Sequence, residues 1–417
     1  MYNMLSLLII LNLSKIKKIL PKNKIKYKAL VLTKSVGIDD LISSQKKYNK
    51  NILFLTFPRY LLKIIYESVI HNHEKLADEN YVSKNKFIEK SKKSYNDFLI
   101  TFLKIFLKKY PFNFFIGFNF LYVAERELHD VSQKLKIPFL LLFKECVITK
   151  TQFNYQSYTW KKNKERFMGS KIGVYSKLAK QYLSQSYIFP KNKIDVIGCS
   201  RLAESFSYKK ILPKNKIVYF AIEKYRGLPN RYCKTQSKNF FKNLKDYKFY
   251  DRKFNWEFLH TKTLKILRTF ATKNPKVEVI IKTKTGEKNN INDYKNLPKN
   301  ITVIHEGAGH SLLKDSKVVI GWNSTIILEA IAANRFILLP YFYKKNKVLK
   351  KSELEFKLNK NNYGFSEKDF YEKLQSFMKK KYYPTKVNNS HMSLDYYLGN
   401  SKNNAEKKLD KFILSSI

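Results

Sequence analysis

Short apolar runs alternate along this chain with longer amphipathic or charged stretches, and the alternation predicts strands and helices in turn. KYKALVLT (26–33) and NILFLTF (51–57) have the length and continuity of strands buried on both faces. Residues 59–110 carry many charges and predict long helices. FNFFIGF (112–118) predicts a strand. AERELHDVSQKLK (124–136) follows as an amphipathic helix with Leu128, Val131 and Leu135 on one stripe. IPFLLLF (137–143) predicts the next strand, then KIGVYS (171–176), a helix to Ser186, and KIDVIG (193–198).

SYKKILPKNK (207–216) is polar, contains a proline and interrupts the rhythm. The alternation then restarts with KIVYFAI (216–222), a helix from Trp256 to Thr272, VEVIIKT (277–283), ITVIHE (301–306), KVVIGW (317–322), a helix from Ser324 to Ala333, and FILLPYF (336–342). Helical segments near 366–382 and 403–415 close the pattern. Repeated βα units predict parallel sheets covered by helices. The expected fold is α/β, with two tandem Rossmann-like domains facing across a cleft: residues 1–206 and residues 207–417, the last helix crossing back onto the first domain. The length of 417 residues agrees with two domains.

Residues 4–20, MLSLLIILNLSKIKKIL, form an apolar run about half as long as a bilayer-spanning helix. No basic residue precedes the run and no small-residue cleavage site follows it, which argues against a secretory signal. Two readings stay open: a shallow membrane-contacting helix flanked by Lys15, Lys17 and Lys18, or a packed first helix.

The formal net charge of +48 changes the picture only in part. Such a charge suits nucleic acid, an anionic membrane or an acidic substrate. Yet only 9 of the 81 basic residues are arginine, and lysines are spread over the whole chain beside abundant Asn, Ile, Tyr and Phe. That bias is what an AT-rich coding sequence produces. Scarce arginine argues against sequence-specific nucleic-acid reading. Cys146, Cys199 and Cys233 form no CxxC pair and predict free thiols in a reducing compartment. The seven histidines form no HExxH, and the one HxH pair, His71 and His73, reads as surface residues.

Chemistry-bearing residues collect directly after predicted strands, where ligands bind in open α/β sheets. Lys144-Glu145 follows 137–143, and the carboxylate could take a proton from a hydroxyl. A solvated ion pair is the plainer alternative. Gly198 allows a tight turn before Arg201, which could reach a phosphate or carboxylate, or pair with an acid such as Glu204. Lys282 and Lys284 alternate at a strand end and share one face, which suits an anion between them. In so lysine-rich a chain, chance also produces such pairs. Gly307, Gly309 and His310 follow another strand. Asn323, Ser324 and Thr325 stand at a helix N-terminus, where free N–H groups and the helix dipole favour an anion. The same residues serve as a plain N-cap. Glu329 lies on that helix, either facing a ligand or packing against a neighbouring loop.

The order of IPFLLLFKE, VIGCSR, VIIKTK and the stretch from His310 through HSLLKDSKVVIGWNSTIILEA resembles GT-B glycosyltransferases of bacterial surface and capsular polysaccharide synthesis, and more distantly the CDP-glycerol glycerophosphotransferases. The resemblance covers about residues 110–345; the glycine-rich first loop of such enzymes is not evident. It implies a metal-independent enzyme without a cofactor, which moves a sugar from a nucleotide-activated donor to a glycan or lipid-linked acceptor. Lys282, His310, Ser324 and Thr325 would face the donor phosphates, Glu329 its ribose or sugar, and Glu145 would be the acceptor base. A cytoplasmic protein follows. Residues 4–20 and the basic run YFYKKNKVLKK, which reaches Lys351, are candidates for contact with the inner face of an anionic membrane. Two other classes stay open: a nucleotide-sugar epimerase of the same architecture, and a non-enzymatic basic RNA-binding protein.

Overall fold

The computed structural model describes residues 17–20, 24–33, 35–48, 51–70, 81, 85–120, 122–145, 157, 166–186, 188–222, 256–283, 293–322, 324–342, 358–381, 391–399 and 404–417. Lys284, Asn323, Cys146, Cys233, His71, His73 and the basic run from Tyr343 to Lys351 lie outside the described residues. The fold is α/β with two Rossmann-like units: Met1–Arg201 joined by Tyr397–Ile417, and Leu202–Tyr396.

The first unit holds a seven-stranded sheet. Its strands are β1 (Lys17–Ile19), β2 (Tyr27–Leu32), β3 (Ile52–Phe57), β4 (Phe114–Gly117), β5 (Phe139–Phe143), β6 (Lys171–Val174) and β7 (Ile194–Val196), in the spatial order β1-β3-β2-β4-β5-β6-β7. All pairings are parallel except that of β1 with β3. Side chains sort by period two onto two cores. Leu30, Leu55, Phe57, Phe139, Leu141 and Phe143 lie in one core, with Phe98, Phe102 and Phe106 of the helix Lys86–Lys109. Ala29, Val31, Ile52, Phe54, Leu140 and Leu142 lie in the other, covered by Leu409, Phe412 and Ile413 of the last helix, Ala405–Leu414. Burial on both faces is why these strands read as unbroken apolar runs.

The amino-terminal helix expected over 4–20 does not extend through its basic end. Lys17, Lys18 and Ile19 pair antiparallel with Thr56, Leu55 and Phe54, and the Ile19 carbonyl accepts from Gln45 Nε2 at 3.2 Å. A lysine-bearing edge strand also discourages pairing with a further chain. Residues 1–16 are outside the described residues.

The second unit holds β8 (Lys216–Phe220), β9 (Glu278–Lys282), β10 (Ile301–Ile304), β11 (Val318–Ile320), β12 (Phe336–Pro340) and β13 (Tyr363–Gly364). Their order is β10-β9-β8-β11-β12-β13, with every pairing parallel. The helix Thr325–Ala332 is buried along nearly its whole length, Glu329 included. Asn334, at φ 59°, ends it: its N–H donates to the Ile331 carbonyl and that of Arg335 to Ala330. This left-handed cap turns Arg335 into the interior. There its fully buried guanidinium donates to the carbonyls of Leu313, Lys314, Tyr208 and Ile211 at 2.6–3.2 Å. The segment read as an interdomain break is thus fastened at its start to the second unit. Among the described residues no helix is long and apolar enough to cross a membrane.

Candidate active site

In the second unit β9 and β10 lie on one side of β8, and β11 to β13 on the other. The chain order therefore reverses between β8 and β11, and the crevice beyond their carboxyl ends is where such sheets bind ligands. Gly321 and Trp322 leave β11 there, and the helix Thr325–Ala332 begins at once. Ser324 occupies the N-cap in an extended conformation, φ −135° and ψ 146°, yet its side chain makes no cap hydrogen bond. Ser324 and Thr325 are both partly exposed. First-turn N–H groups and two hydroxyls thus meet at the positive end of a buried helix, which suits an anion.

His310 lies in the turn Gly309–Leu313 after β10. Gly307, at φ 83°, and in the first unit Gly198, at φ 73°, adopt the left-handed backbone that a glycine permits at a sharp turn. His310 Nε2 is 3.3 Å from Glu204 Oε2, and Tyr208 Oη donates to Glu204 Oε1 at 2.5 Å. Burial, the bond to Glu204 and the nearby charges of Glu204 and Glu329 raise the Tyr208 phenol above its ordinary range. The structure brings four polar groups together here, of which the sequence pattern singled out His310 and Glu329 as ligand groups. Glu204 and Tyr208 stand at i and i+4 across a short helix and a 3-10 turn, a spacing that could have flagged them.

Lys282 ends β9 as expected, but its ammonium donates to the carbonyls of Thr283 at 2.6 Å and His305 at 3.2 Å. Burial lowers its pKa. Thr283 Oγ1 and His305 Nδ1 are 2.8 Å apart beside it. In this arrangement Lys282 ties the ends of β9 and β10 together. Lys284, its expected partner across an anion, is outside the described residues.

The first unit carries its own cluster at the carboxyl edge. Lys144 and Glu145 follow β5, with Lys144 Nζ 3.1 Å from Glu145 Oε1. Asn119, just past β4, donates to the same oxygen at 3.4 Å. The Glu145 side chain is 42% exposed and that of Lys144 only 14%. Burial pulls the Lys144 ammonium down, but Glu145 and Tyr122 outweigh it and the net shift is upward. Burial raises the Tyr122 phenol, opposed by Lys144. The Arg59 guanidinium lies 4.1 Å over the Tyr122 ring and bonds Glu125. Asn119, Tyr122, Arg59 and Glu125 had no motif to mark them, since tertiary approach alone assembles them.

Arg201, expected to reach a donor phosphate, is turned inward. Its Nη1 donates to Asp40 Oδ2 at 2.9 Å and to Tyr175 Oη at 2.7 Å, and its N–H to Asp40 Oδ1 at 3.0 Å. Ser200 Oγ also donates to Asp40 Oδ1, at 3.2 Å. Arginine paired with an acid was the alternative reading, but the acid is Asp40 and not Glu204.

No family model matches the chain, and no curated protein matches it. Solved structures do. A UDP-GlcNAc 2-epimerase from Neisseria meningitidis bound to UDP-GlcNAc is similar at 11% identity and TM-score 0.47, over 93% of this chain and 100% of that one. A UDP-N-acetylglucosamine 2-epimerase from Rickettsia bellii is similar at 12% identity and TM-score 0.47, over 94% and 97%. A UDP-forming α,α-trehalose-phosphate synthase from Burkholderia vietnamiensis is similar at 8% identity and TM-score 0.48, over 94% and 100%. The likeness is one of fold.

Proposed function

We propose that this protein is a glycosyltransferase that moves a sugar from a nucleotide-activated donor to a surface-polysaccharide or lipid-linked acceptor. The observation that carries the reading is the start of the helix Thr325–Ala332 at the order reversal between β8 and β11, with a Ser324 hydroxyl that makes no cap bond. The second unit would hold the donor diphosphate there. Ser324, Thr325 and His310 would meet its charge, and Glu329 its ribose or sugar. The first unit would supply Glu145 as base, accessible to solvent and oriented by Lys144 and Asn119.

In the reaction Glu145 takes the proton of an acceptor hydroxyl. The acceptor oxygen forms a bond to the anomeric carbon, and the bond from that carbon to the diphosphate oxygen breaks. The nucleoside diphosphate leaves with the electron pair, its charge offset by the helix N-terminus and neighbouring donors.

One observation favours a second reading, a nucleotide-sugar epimerase: Glu204, Tyr208, His310 and Glu329 gather acid and base groups within one unit. Incubation with a panel of nucleotide sugars, with and without glycan acceptors, separates the two. Nucleoside diphosphate release that depends on acceptor supports the transferase. Sugar interconversion without acceptor supports the epimerase. Neither activity, together with tight salt-dependent RNA binding, would overturn both.

A further inference from the structure

The guanidinium of Arg59, at the carboxyl edge of the first sheet, is fixed by its neighbours and only partly used. Arg59 opens the helix Arg59–Val69 directly after β3. Its backbone N–H donates to Thr33 Oγ1 at 3.2 Å, and Thr33 Oγ1 donates to the Phe57 carbonyl at 3.1 Å, which ties the helix start to the ends of β2 and β3. The segment after β4 turns back on itself: the Glu125 N–H donates to the Tyr122 carbonyl at 2.8 Å, and Tyr95 Oη donates to the Ala124 carbonyl at 2.8 Å. Both side chains of that turn meet Arg59. Its Nε donates to Glu125, and its guanidinium lies 4.1 Å over the Tyr122 ring.

A counter-charge for the buried Glu125 carboxylate explains Nε and nothing more. Among the described residues none accepts from Nη1 or Nη2, and at 28% exposure the side chain is within reach of a ligand. A lysine would serve as counter-charge, and only 9 of the 81 basic residues are arginine. Arg201 and Arg335 each spread their donors over several acceptors. The two terminal nitrogens of a guanidinium match the paired oxygens of a carboxylate or phosphate, and an edge already held in place loses little freedom on binding. Lys144, Glu145, Arg59 and Glu125 all act on the Tyr122 phenol, which puts Arg59 in the same cluster as the proposed base.

We propose that the Nη1–Nη2 edge of Arg59 binds an oxyanion, carboxylate or phosphate, carried by the acceptor whose hydroxyl Glu145 deprotonates. This rests on the transferase reading. Glu125 offsets the charge of Arg59 and Lys144 that of Glu145, so recognition falls to directed hydrogen bonds more than to net charge.

The test uses the full chain at about 0.3 M salt, where the general pull of a basic protein on anions is screened. Glucose, glucuronate and glucose 6-phosphate are the probes, sharing one ring and differing in the oxyanion. Nitrogen-15 spectra follow the Arg59 side chain, identified by its loss in Arg59→Lys. Glucuronate or glucose 6-phosphate should shift the Nε–H signal saturably, and glucose should not; the stronger of the two names the oxyanion. Affinity, read in every variant from the Tyr122 ring, should fall about tenfold or more in Arg59→Lys, which keeps a cation beside Glu125 but loses the two-pronged edge. If that variant fails to melt cooperatively, Arg59→Gln combined with Glu125→Gln removes both charges together and should lose binding as far. Unchanged affinity in the folded variant, an equal response to glucose, or no response to any probe overturns the inference. Failure of the probes in a protein that still shows acceptor-dependent nucleotide release refutes the Arg59 site and spares the transferase. Binding through Arg59 in a protein that turns over no nucleotide sugar refutes the transferase reading, and the acceptor role of Arg59 with it.

Discussion

Arg201 and Asp40 form an ion pair at 2.9 Å with both side chains about 95% buried, since each is 5% exposed. Asp40 also accepts from Ser200 and from the Arg201 N–H, so the pair joins the helix Ser35–Lys47 to the turn after β7. Removing one partner strands a charge in the interior. Arg201→Ala should therefore destabilise the fold by about 3–5 kcal/mol. Urea unfolding measures this. Unchanged stability with lost nucleotide binding would return Arg201 to the ligand.

Arg335→Met removes every donor from a guanidinium that serves four carbonyls. The apolar chain fills part of the space but leaves those carbonyls without that partner. The expected loss is at least about 3 kcal/mol, seen as a lower midpoint in denaturant. A loss below about 1 kcal/mol would mean that water or neighbouring donors replace the arginine readily.

His129 sets a pH window. Burial lowers its pKa from 6.5 to about 4, and its Nδ1 accepts from the Met168 N–H at 3.1 Å. The unfolded chain binds this proton more readily than the folded one. The stabilisation is therefore fully present above pH 6.5 and is lost as pH falls toward 4. At roughly 1.4 kcal/mol per pKa unit, the change amounts to about 3 kcal/mol. His129→Gln, which can still accept from Met168, should flatten this part of the profile relative to wild type. Parallel slopes for the two proteins between pH 7 and pH 4 would contradict the assignment.

Glu145→Gln should leave the melting temperature unchanged and cut turnover by about 10²–10⁴, the usual contribution of a positioned base. Lys144→Ala should cost less turnover. If Glu145 is only an ion-pair partner, either change mildly destabilises the fold and turnover per folded molecule stays normal. His310 would then be the next candidate for the base.

The strands buried on both faces were legible because a parallel sheet needs continuous apolar runs such as Phe139–Phe143 and Val318–Ile320. β1 was not, because Lys17 and Lys18 read equally well as the basic flank of a helix, and only β3 tells them apart. At two residues, β13 is too short to show a period. The helix start at Ser324 was visible as small polar groups after an apolar run. Its place at the order reversal was not, since strand order depends on β8 lying between β9 and β11. The partner of Arg201 was equally hidden: Asp40 lies 161 positions away. Lys282 looked like a phosphate ligand because its backbone carbonyl partners leave no mark in sequence.

The central claim is that a nucleotide-sugar diphosphate binds at the start of the helix Thr325–Ala332. It is tested most directly by titrating wild type and a Ser324→Ala, Thr325→Val double variant with a panel of nucleotide sugars. With a net charge of +48, the chain attracts any phosphate, so the titration belongs at about 0.3 M salt, where exposed charges are screened. Under those conditions one donor should bind the wild type. The double variant should bind it about tenfold or more weakly at an unchanged melting temperature, as expected for two lost hydrogen bonds to a charged group. Equal affinity of both proteins for that donor, or no donor bound by either, would contradict the account.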